Sequence, residues 1–184
     1  MVTDRETGGR AARVLAAIHS SVGELVGEGA AKLTFPVIAE RAGVNPTTLY
    51  RRWDGVNALL EEVAVAVLTR DGAVPPDCGS LEADLTEWAV LIARDITRPE
   101  RTRYLRAMVS ARTAATVRCP VMEARQEQAS EMVDRARARG ERTPTVRQVL
   151  DHVISPLYHH VAFALDVTDD HPRQLVRDVM SMAR

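Results

Sequence analysis

A compact run of hydroxyl and guanidinium side chains is the part of this sequence whose chemistry is most specific. Thr47, Thr48, Tyr50, Arg51 and Arg52 follow one another with a single interruption. Threonine contacts thymine methyl groups or base edges, and the guanidinium of arginine forks onto the O6 and N7 atoms of guanine. Tyrosine hydroxyls and arginines also bind phosphate oxygens. This combination predicts a surface that contacts DNA.

Two short helices joined by a glycine turn are expected to position this run. Thr34 is a good N-cap for the first helix, and Gly43 provides the left-handed backbone that ends it. Asn45 caps the second helix and Pro46 fits its first position, so this helix should run from about Pro46 to Trp53. The pattern is that of a helix-turn-helix, in which the second helix enters the major groove.

Eight residues of this segment are therefore predicted to contact DNA. They are Thr34, Asn45, Pro46, Thr47, Thr48, Tyr50, Arg51 and Arg52. Leu49 and Trp53, which lie one helical turn apart, are expected to point into the core instead. Tyr50 is open to two interpretations, phosphate binding or packing against the fourth helix. The sequence does not decide whether Arg51 or Arg52 reads bases.

The segment from Leu33 to Leu60 resembles the tetracycline-repressor (TetR) family of bacterial transcription regulators. The matching residues are Thr34, Ile38, Ala39, Ala42, Gly43, Val44, Leu49, Tyr50, Trp53, Ala58, Leu59 and Leu60. Pro36 and Val56 depart from the pattern, since members often carry a basic residue and a phosphate-contacting lysine there. The resemblance implies a repressor that binds a near-palindromic DNA operator as a homodimer and releases it when a small-molecule effector binds. Two copies would read half-sites about 34–36 Å apart.

Apolar residues recur at helical spacing along the chain, and strand alternation is absent. We predict an all-α fold of about nine helices. Residues 1–54 would form a three-helix DNA-binding head that starts with a flexible arm over residues 1–9, and residues 55–71 would form a connecting helix. A stretch rich in proline and glycine then opens a C-terminal helical body, residues 72–184, which the resemblance assigns to ligand binding and dimerisation.

The last two predicted helices carry more apolar surface than one side of a small bundle can hide. A second copy of the chain would cover this surface across a four-helix interface. The dimer contacts are predicted at Val153, Leu157, Val161, Leu175 and Val179. The alternative is that these side chains close the core of a single protomer. Pro156 should kink the first of the two helices.

The TetR resemblance also implies a pocket for an effector in the C-terminal body. The candidate lining residues lie on or beside apolar helix faces, and several add a polar group. They are Trp88, Ile92, Met108, Arg112, Met122, Tyr158, His159 and Phe163. Taken singly, each also fits an ordinary core or surface role. Such a lining favours an apolar or aromatic molecule of moderate size.

Composition sets the remaining limits. The 184 residues carry a net charge of −1, which argues against a general nucleic-acid coat but leaves room for a local basic face. No long apolar run and no signal peptide are present, so we expect a soluble cytoplasmic protein that does not enter a membrane. Cys78 and Cys119 have no metal-site spacing and are expected to be free thiols, with a redox-sensing pair as the less favoured alternative.

Two other functions compete with a regulator. An enzyme or metal site would rest on His152, His159 and His160 with Asp151, but this spacing is not the i, i+4 pair that binds zinc. We therefore predict no enzyme activity, no metal and no cofactor. A helical protein-interaction module without DNA binding would fit the modest basic charge and the absence of a lysine at Val56. A binding assay titrated with salt separates it from a DNA-binding regulator.

Overall fold

The computed structural model describes residues 4–30, 33–69, 74–111 and 119–183, and every regular element in these residues is a helix. In chain order they are α1 (Asp4–Gly27), α2 (Phe35–Ala42), α3 (Pro46–Arg52), α4 (Val56–Thr69), α5 (Leu81–Ile96), α6 (Pro99–Ala111), α7 (Pro120–Ala138), α8 (Val146–Val149), α9 (Ser155–Ala162) and α10 (His171–Met180). A π-helical turn, Leu150–Ile154, joins α8 to α9 without a break. The predicted all-α fold of about nine helices is confirmed. Within the described residues, no helix is both long and apolar enough to cross a membrane.

Packing divides the described chain into two compact units. The first unit holds residues up to Ala64 together with residues 106–111, and the second holds Val65–Leu105 together with residues 119–183. The division falls within α4, inside the segment that the sequence assigns to a connecting helix. The boundaries at residues 54 and 72 remain predictions.

The first unit is built around apolar side chains from α1 to α4. Ile18, Val22, Ile38, Leu49 and Leu59 are all at most 1% exposed. These residues recur at helical spacing within their elements, and so each helix turns one stripe toward a common core. The core fixes the positions of the two helices that carry the predicted DNA-binding residues.

The N-terminal arm differs from the prediction. α1 begins at Asp4, so the predicted flexible arm over residues 1–9 is wrong from Asp4 onward. Glycine disfavours a helix, but the residues that follow Gly8 and Gly9 include good helix formers such as Arg10 and Ala11.

In the second unit, α5 and α7 supply much of the core and α10 packs against α5. Leu85, Trp88, Ile96 and Met132 are almost completely buried. Ser80 caps α5, since its hydroxyl oxygen accepts a hydrogen bond from the amide of Ala83 at 3.3 Å. The cap and the buried stripe explain why α5 begins where the proline-rich stretch ends.

The helical hydrogen bonding changes directly before Pro156, while the predicted kink stays a prediction. Pro156 lies in the first turn of α9, directly after the π turn Leu150–Ile154. Proline has no amide hydrogen, and its ring clashes with the carbonyl group four residues earlier in a regular α-helix. A π turn widens the hydrogen-bonding ring and removes this conflict, so the helical stretch continues through the proline.

Candidate nucleic-acid interface

The turn between α2 and α3 has the geometry that its residues predict. The hydroxyl oxygen of Thr34 accepts a hydrogen bond from the amide of Val37 at 3.5 Å and caps α2. Gly43 ends the helix with φ at 65° and ψ at 33°, and its amide donates to the carbonyl oxygen of Glu40 at 3.2 Å. A side chain at Gly43 would be strained in this left-handed conformation. The glycine therefore sets the direction in which α3 leaves the turn.

α3 is short, and both of its ends are held. The side-chain oxygen of Asn45 accepts a hydrogen bond from the amide of Thr47 at 2.9 Å, and Pro46 occupies the first turn. At the other end, the amide of Trp53 donates to the carbonyl oxygen of Leu49 at 3.0 Å. Leu49 is fully buried and Trp53 is 6% exposed, so their predicted core role is confirmed.

The remaining side chains of α3 point outward. Thr47, Tyr50, Arg51 and Arg52 are exposed, and Thr48 is half-buried. These side chains form a continuous polar face on a helix whose inner face is anchored in the core. An exposed helix face of hydroxyls and guanidiniums supplies the donors that base edges and phosphates accept. The structure thus places six of the eight predicted DNA-contacting residues on α3, and the other two, Thr34 and Asn45, cap α2 and α3.

Tyr50 makes a contact that the sequence did not predict. Its ring meets Phe35 of α2 edge-on, with centroids 4.9 Å apart and an interplanar angle of 87°. The observed ring contact is thus made with α2, and packing against the fourth helix stays a prediction. Tyr50 nevertheless remains 62% exposed, so the packing does not remove it from the outer surface.

The two arginines of α3 have different surroundings. Within the described part of the chain, Arg51 makes no hydrogen bond or ion pair. The guanidinium of Arg52 lies 3.6 Å from a carboxylate oxygen of Glu62 and 5.1 Å from the centre of the Trp53 ring. Sequence analysis did not single out Glu62, because a glutamate on a helix usually faces solvent.

A cleft of about 520 Å³ lies beside this face, between α1 and α3. Val14, Leu15 and Ile18 of α1 give it an apolar side, and Thr48, Arg51, Arg52 and Arg10 also line it. The arginines make the cleft attractive to anions. Two of the predicted DNA-contacting arginines therefore sit at the edge of a concave surface.

An ion pair fixes the far end of α2. Arg41 donates to Glu28 from both terminal nitrogens, at 2.8 and 3.0 Å, and also lies 3.4 Å from Glu24. The hydrogen bond from Arg41 holds the pKa of Glu28 below its ordinary value. The positive charge of Arg41 is thus matched by Glu24 near the end of α1 and by Glu28 directly after that helix.

Family models match both parts of this architecture. Residues 18–63 match the model described as bacterial regulatory proteins, tetR family. Residues 75–179, more than half of the chain, match the model described as tetracyclin repressor-like, C-terminal domain. The chain belongs to the TetR family. Its members are DNA-binding transcription regulators with a helix-turn-helix, and the matched residues 18–63 include α2 and α3.

Individual relatives agree with the assignment. The HTH-type transcriptional regulator AqdR of Rhodococcus erythropolis is 32% identical over 151 residues, which cover 76% of this chain and 72% of AqdR. The uncharacterized HTH-type transcriptional regulator YdeS of Bacillus subtilis (strain 168) is 26% identical over 160 residues, covering 83% of this chain and 80% of YdeS. The crystal structure of the TetR family regulator SCO0332 superposes with a TM-score of 0.70 at 29% identity, covering 93% of this chain and 98% of that one.

The predicted effector residues fall into distinct groups in this TetR-family protein. Trp88, Ile92 and Tyr158 are buried, and Met122 is half-buried. His159 and Phe163 lie together on an exposed face, with ring centroids 4.8 Å apart. The remaining two predictions are not located: the side chain of Met108 and the whole of Arg112 lie outside the described residues.

A buried polar network links two of the predicted effector residues. The indole nitrogen of Trp88 donates to the side-chain oxygen of Gln128 at 3.2 Å. Arg125 donates to the same oxygen at 2.8 Å and, through Nε, to the hydroxyl of Tyr158 at 3.2 Å. Desolvation by burial is the largest effect on the pKa of Tyr158 and raises it, whereas the charge and hydrogen bond of Arg125 lower it. The net pKa is raised, so the phenol stays a neutral hydrogen-bonding group.

The predicted dimer contacts need a correction. Val153, Leu157 and Val179 are fully buried within the protomer and Val161 is 5% exposed. A side chain with almost no accessible surface cannot contact a second protomer, so these four belong to the protomer's own core, as the alternative interpretation held. Leu175 is half-buried and remains accessible. The surplus apolar surface is smaller than predicted because α10 packs against α5, a long-range contact that helical spacing does not reveal.

The thiols and histidines show no reactive arrangement. Cys78 and Cys119 are both free. Partial desolvation and the negative charge of Asp84 raise the pKa of Cys78. A smaller fraction of this thiol is therefore ionised at neutral pH. Among the described residues, no group of three histidine, cysteine, aspartate or glutamate side chains is placed to hold a metal ion.

Proposed function

We propose that this TetR-family regulator is a repressor that binds a near-palindromic operator as a homodimer and leaves it when an effector binds. The observation that carries the proposal is the outer face of α3. Hydroxyl and guanidinium side chains are exposed there on a helix that is capped at Asn45 and anchored by buried Leu49. A rigid helix with such a face can hold its donors against base edges without ordering a loop first.

Roles on α3 follow from position and chemistry. Thr47 and Arg51 are the proposed base-reading residues, because both are exposed and neither side chain packs in the core. Tyr50 and the backbone amides at the start of α2 and α3 are proposed to bind phosphate. Two such helices related by a two-fold axis would occupy successive major grooves about 34–36 Å apart.

Dimerisation is proposed through the segment directly after α9 and the outward side of α10. Phe163 is 67% exposed, Leu165 is 47% exposed and Leu175 is half-buried, so apolar surface remains accessible after the protomer has closed its core. Burial of such side chains against a second copy is favourable. This surface replaces the four buried positions that the sequence analysis assigned to the interface.

The proposed effector site is the second unit around Trp88 and Tyr158, with Ile92 and Met122 as apolar neighbours. The Gln128 and Arg125 network offers donors and acceptors beside those rings. To act as an inducer, a ligand must bind the DNA-incompetent state more tightly than the DNA-bound state. Opening the network to admit a molecule would couple occupancy to a rearrangement of this core.

A repressor that reads DNA would act in the cytoplasm.

DNase footprinting and binding titrations on the DNA flanking the protein's own gene test this proposal. We expect a protected near-palindrome and an affinity that falls steeply as salt rises. Thr47→Ala should lower the preference for that site over random DNA, whereas Arg142→Ala, which removes an exposed arginine of the second unit, should not. Absence of binding at low salt would overturn the repressor proposal and favour an interaction module.

A further inference from the structure

The carboxylate of Glu62 on α4 contacts residues of α1 and of the C-terminal end of α3. One of its carboxylate oxygens accepts a hydrogen bond from the indole nitrogen of Trp53 at 2.8 Å. The other lies 3.0 Å from Nε2 of His19 on α1 and 3.6 Å from the guanidinium of Arg52 on α3. A single carboxylate therefore links α1, the end of α3 and α4.

This arrangement restrains Arg52. Its guanidinium lies over the ring of Trp53, 5.1 Å from the ring centre, while Glu62 balances its charge. Arg52 must give up its contacts with Trp53 and Glu62 before it can reach the floor of a groove. The carboxylate of Glu62 would then face DNA phosphates without the positive charge of Arg52 beside it. Arg51 has no such contacts within the described residues, so it can turn to a base without giving up a hydrogen bond or ion pair to any of them.

We propose that Glu62 is a positioning residue that keeps Arg52 on the protein scaffold and leaves Arg51 as the arginine that reads a base. Glu62 itself need not touch DNA. It orients the C-terminal end of α3 through Trp53 and withholds one guanidinium from the phosphates. The inference rests on the proposed binding of DNA by α3 and assigns the specificity of that same face.

Single substitutions on α3 provide the first test. Affinities for the footprinted operator and for random DNA of equal length are measured by fluorescence anisotropy for Arg51→Ala and Arg52→Ala. A lost bidentate contact to guanine corresponds to about tenfold or more in operator preference, so Arg51→Ala should show that loss. Arg52→Ala should change the preference by less than about threefold, because its contacts are made within the protein.

The salt dependence of binding then tests the role of Glu62. Glu62→Gln keeps the length and an acceptor oxygen for Trp53 but removes the charge that holds Arg52. The released guanidinium should add one phosphate contact, so the slope of log affinity against log salt should steepen by about 0.9 for random DNA. Glu62→Gln combined with Arg52→Ala should return to the wild-type slope. Glu87→Gln, with the same charge change at an exposed position of the second unit, should leave the slope unchanged.

The possible outcomes distinguish a failure of the role of Glu62 from a failure of the proposed DNA binding by α3. Equal losses of operator preference in Arg51→Ala and Arg52→Ala, or an unchanged salt slope in a folded Glu62→Gln protein, would overturn the role of Glu62 while DNA binding stands. A wild-type protein that binds no DNA would overturn both. If Glu62→Gln unfolds, the comparison of the two arginine variants still decides, because both side chains are exposed and neither substitution opens the core.

Discussion

The ring of Tyr50 rests edge-on against Phe35, with their centroids 4.9 Å apart, and joins the outer face of α3 to α2. Phe35 is only 4% exposed, so the contact fixes an exposed side chain to the core of the first unit. An edge-to-face aromatic pair contributes about 0.5–1.5 kcal/mol beyond the area it buries. Tyr50 can therefore present its hydroxyl from a ring whose position is already set.

Tyr50→Phe should keep this packing and lose the hydroxyl. We expect the affinities for operator and random DNA to fall together, by about tenfold, since a hydrogen bond to a charged phosphate is lost and no base contact changes. Tyr50→Ala should in addition lower the free energy of unfolding by about 1 kcal/mol. Binding titrations and urea unfolding measure the two effects, and a selective loss of operator affinity in Tyr50→Phe would contradict a phosphate role.

Local signals explain why this part of the fold was predictable. Thr34, Gly43, Asn45 and Pro46 each act within a few residues of their own position, so the limits of α2 and α3 could be inferred from the sequence. The contact of Glu62 with His19 joins residues that lie far apart along the chain. No periodic pattern in the sequence marks such a contact, because a helical glutamate that faces solvent and one that faces an indole can occupy the same position in the helical repeat.

Leu157 distinguishes a core position from an interface position. Because it is fully buried within the protomer, Leu157→Ala should lower the free energy of unfolding by about 2–5 kcal/mol. Phe163→Asp, at an exposed position on the proposed dimer surface, should leave unfolding of the protomer nearly unchanged and favour monomers in sedimentation. A Leu157→Ala protein of wild-type stability would show that the site is not core.

The C-terminal helices show where sequence reasoning stopped. Apolar stripes on the last two helices were visible, but the sequence could not show which element covers them. Val153 and Val179 face the protomer interior, and Phe163 faces solvent, although all three are apolar. The difference comes from long-range packing of α10 on α5, which hydrophobic periodicity does not encode.

Stability should depend on pH through His171. Its ring stacks on that of His160, with centroids 4.5 Å apart, and Nε2 of His171 is buried without a hydrogen-bond partner in the described residues. Desolvation, assisted by His160, holds the pKa of His171 below the ordinary histidine value. A group whose pKa is depressed by folding binds its proton more readily in the unfolded state.

The stabilisation from neutral His171 is therefore complete above about pH 6.5 and is lost as the pH falls through the lower pKa of the folded state. Thermal unfolding measured between pH 7.5 and 5 should show this decline in the wild type. His171→Gln should flatten it, and His152→Gln, at an exposed histidine, should not. An identical pH profile in His171→Gln would rule out the role of His171.

Ala164 follows α9 in a conformation that favours glycine. Its φ is 56°, and the amide of Leu165 donates to the carbonyl oxygen of His160 at 2.8 Å. The left-handed conformation costs an alanine about 1–2 kcal/mol, which exceeds the extra chain entropy of glycine. Ala164→Gly should stabilise the protein by about 0.5–1 kcal/mol in urea unfolding. Ala162→Gly, inside α9, should destabilise it by about 1 kcal/mol, and equal losses in both would contradict the expectation.

The π turn has a consequence for insertions and deletions. Val149, Val153, Leu157 and Val161 are all buried and repeat every fourth position, whereas an α-helix makes one turn in about 3.6 residues. A regular helix would rotate such a series progressively out of the core, and the wider turn at Leu150–Ile154 absorbs the surplus. Removing one residue from that turn would restore ordinary α-helical hydrogen bonding and leave the side chains beyond it facing the core, because about eleven α-helical residues complete about three turns. The same deletion within a regular stretch of helix would instead swing every side chain beyond it about 100° around the axis.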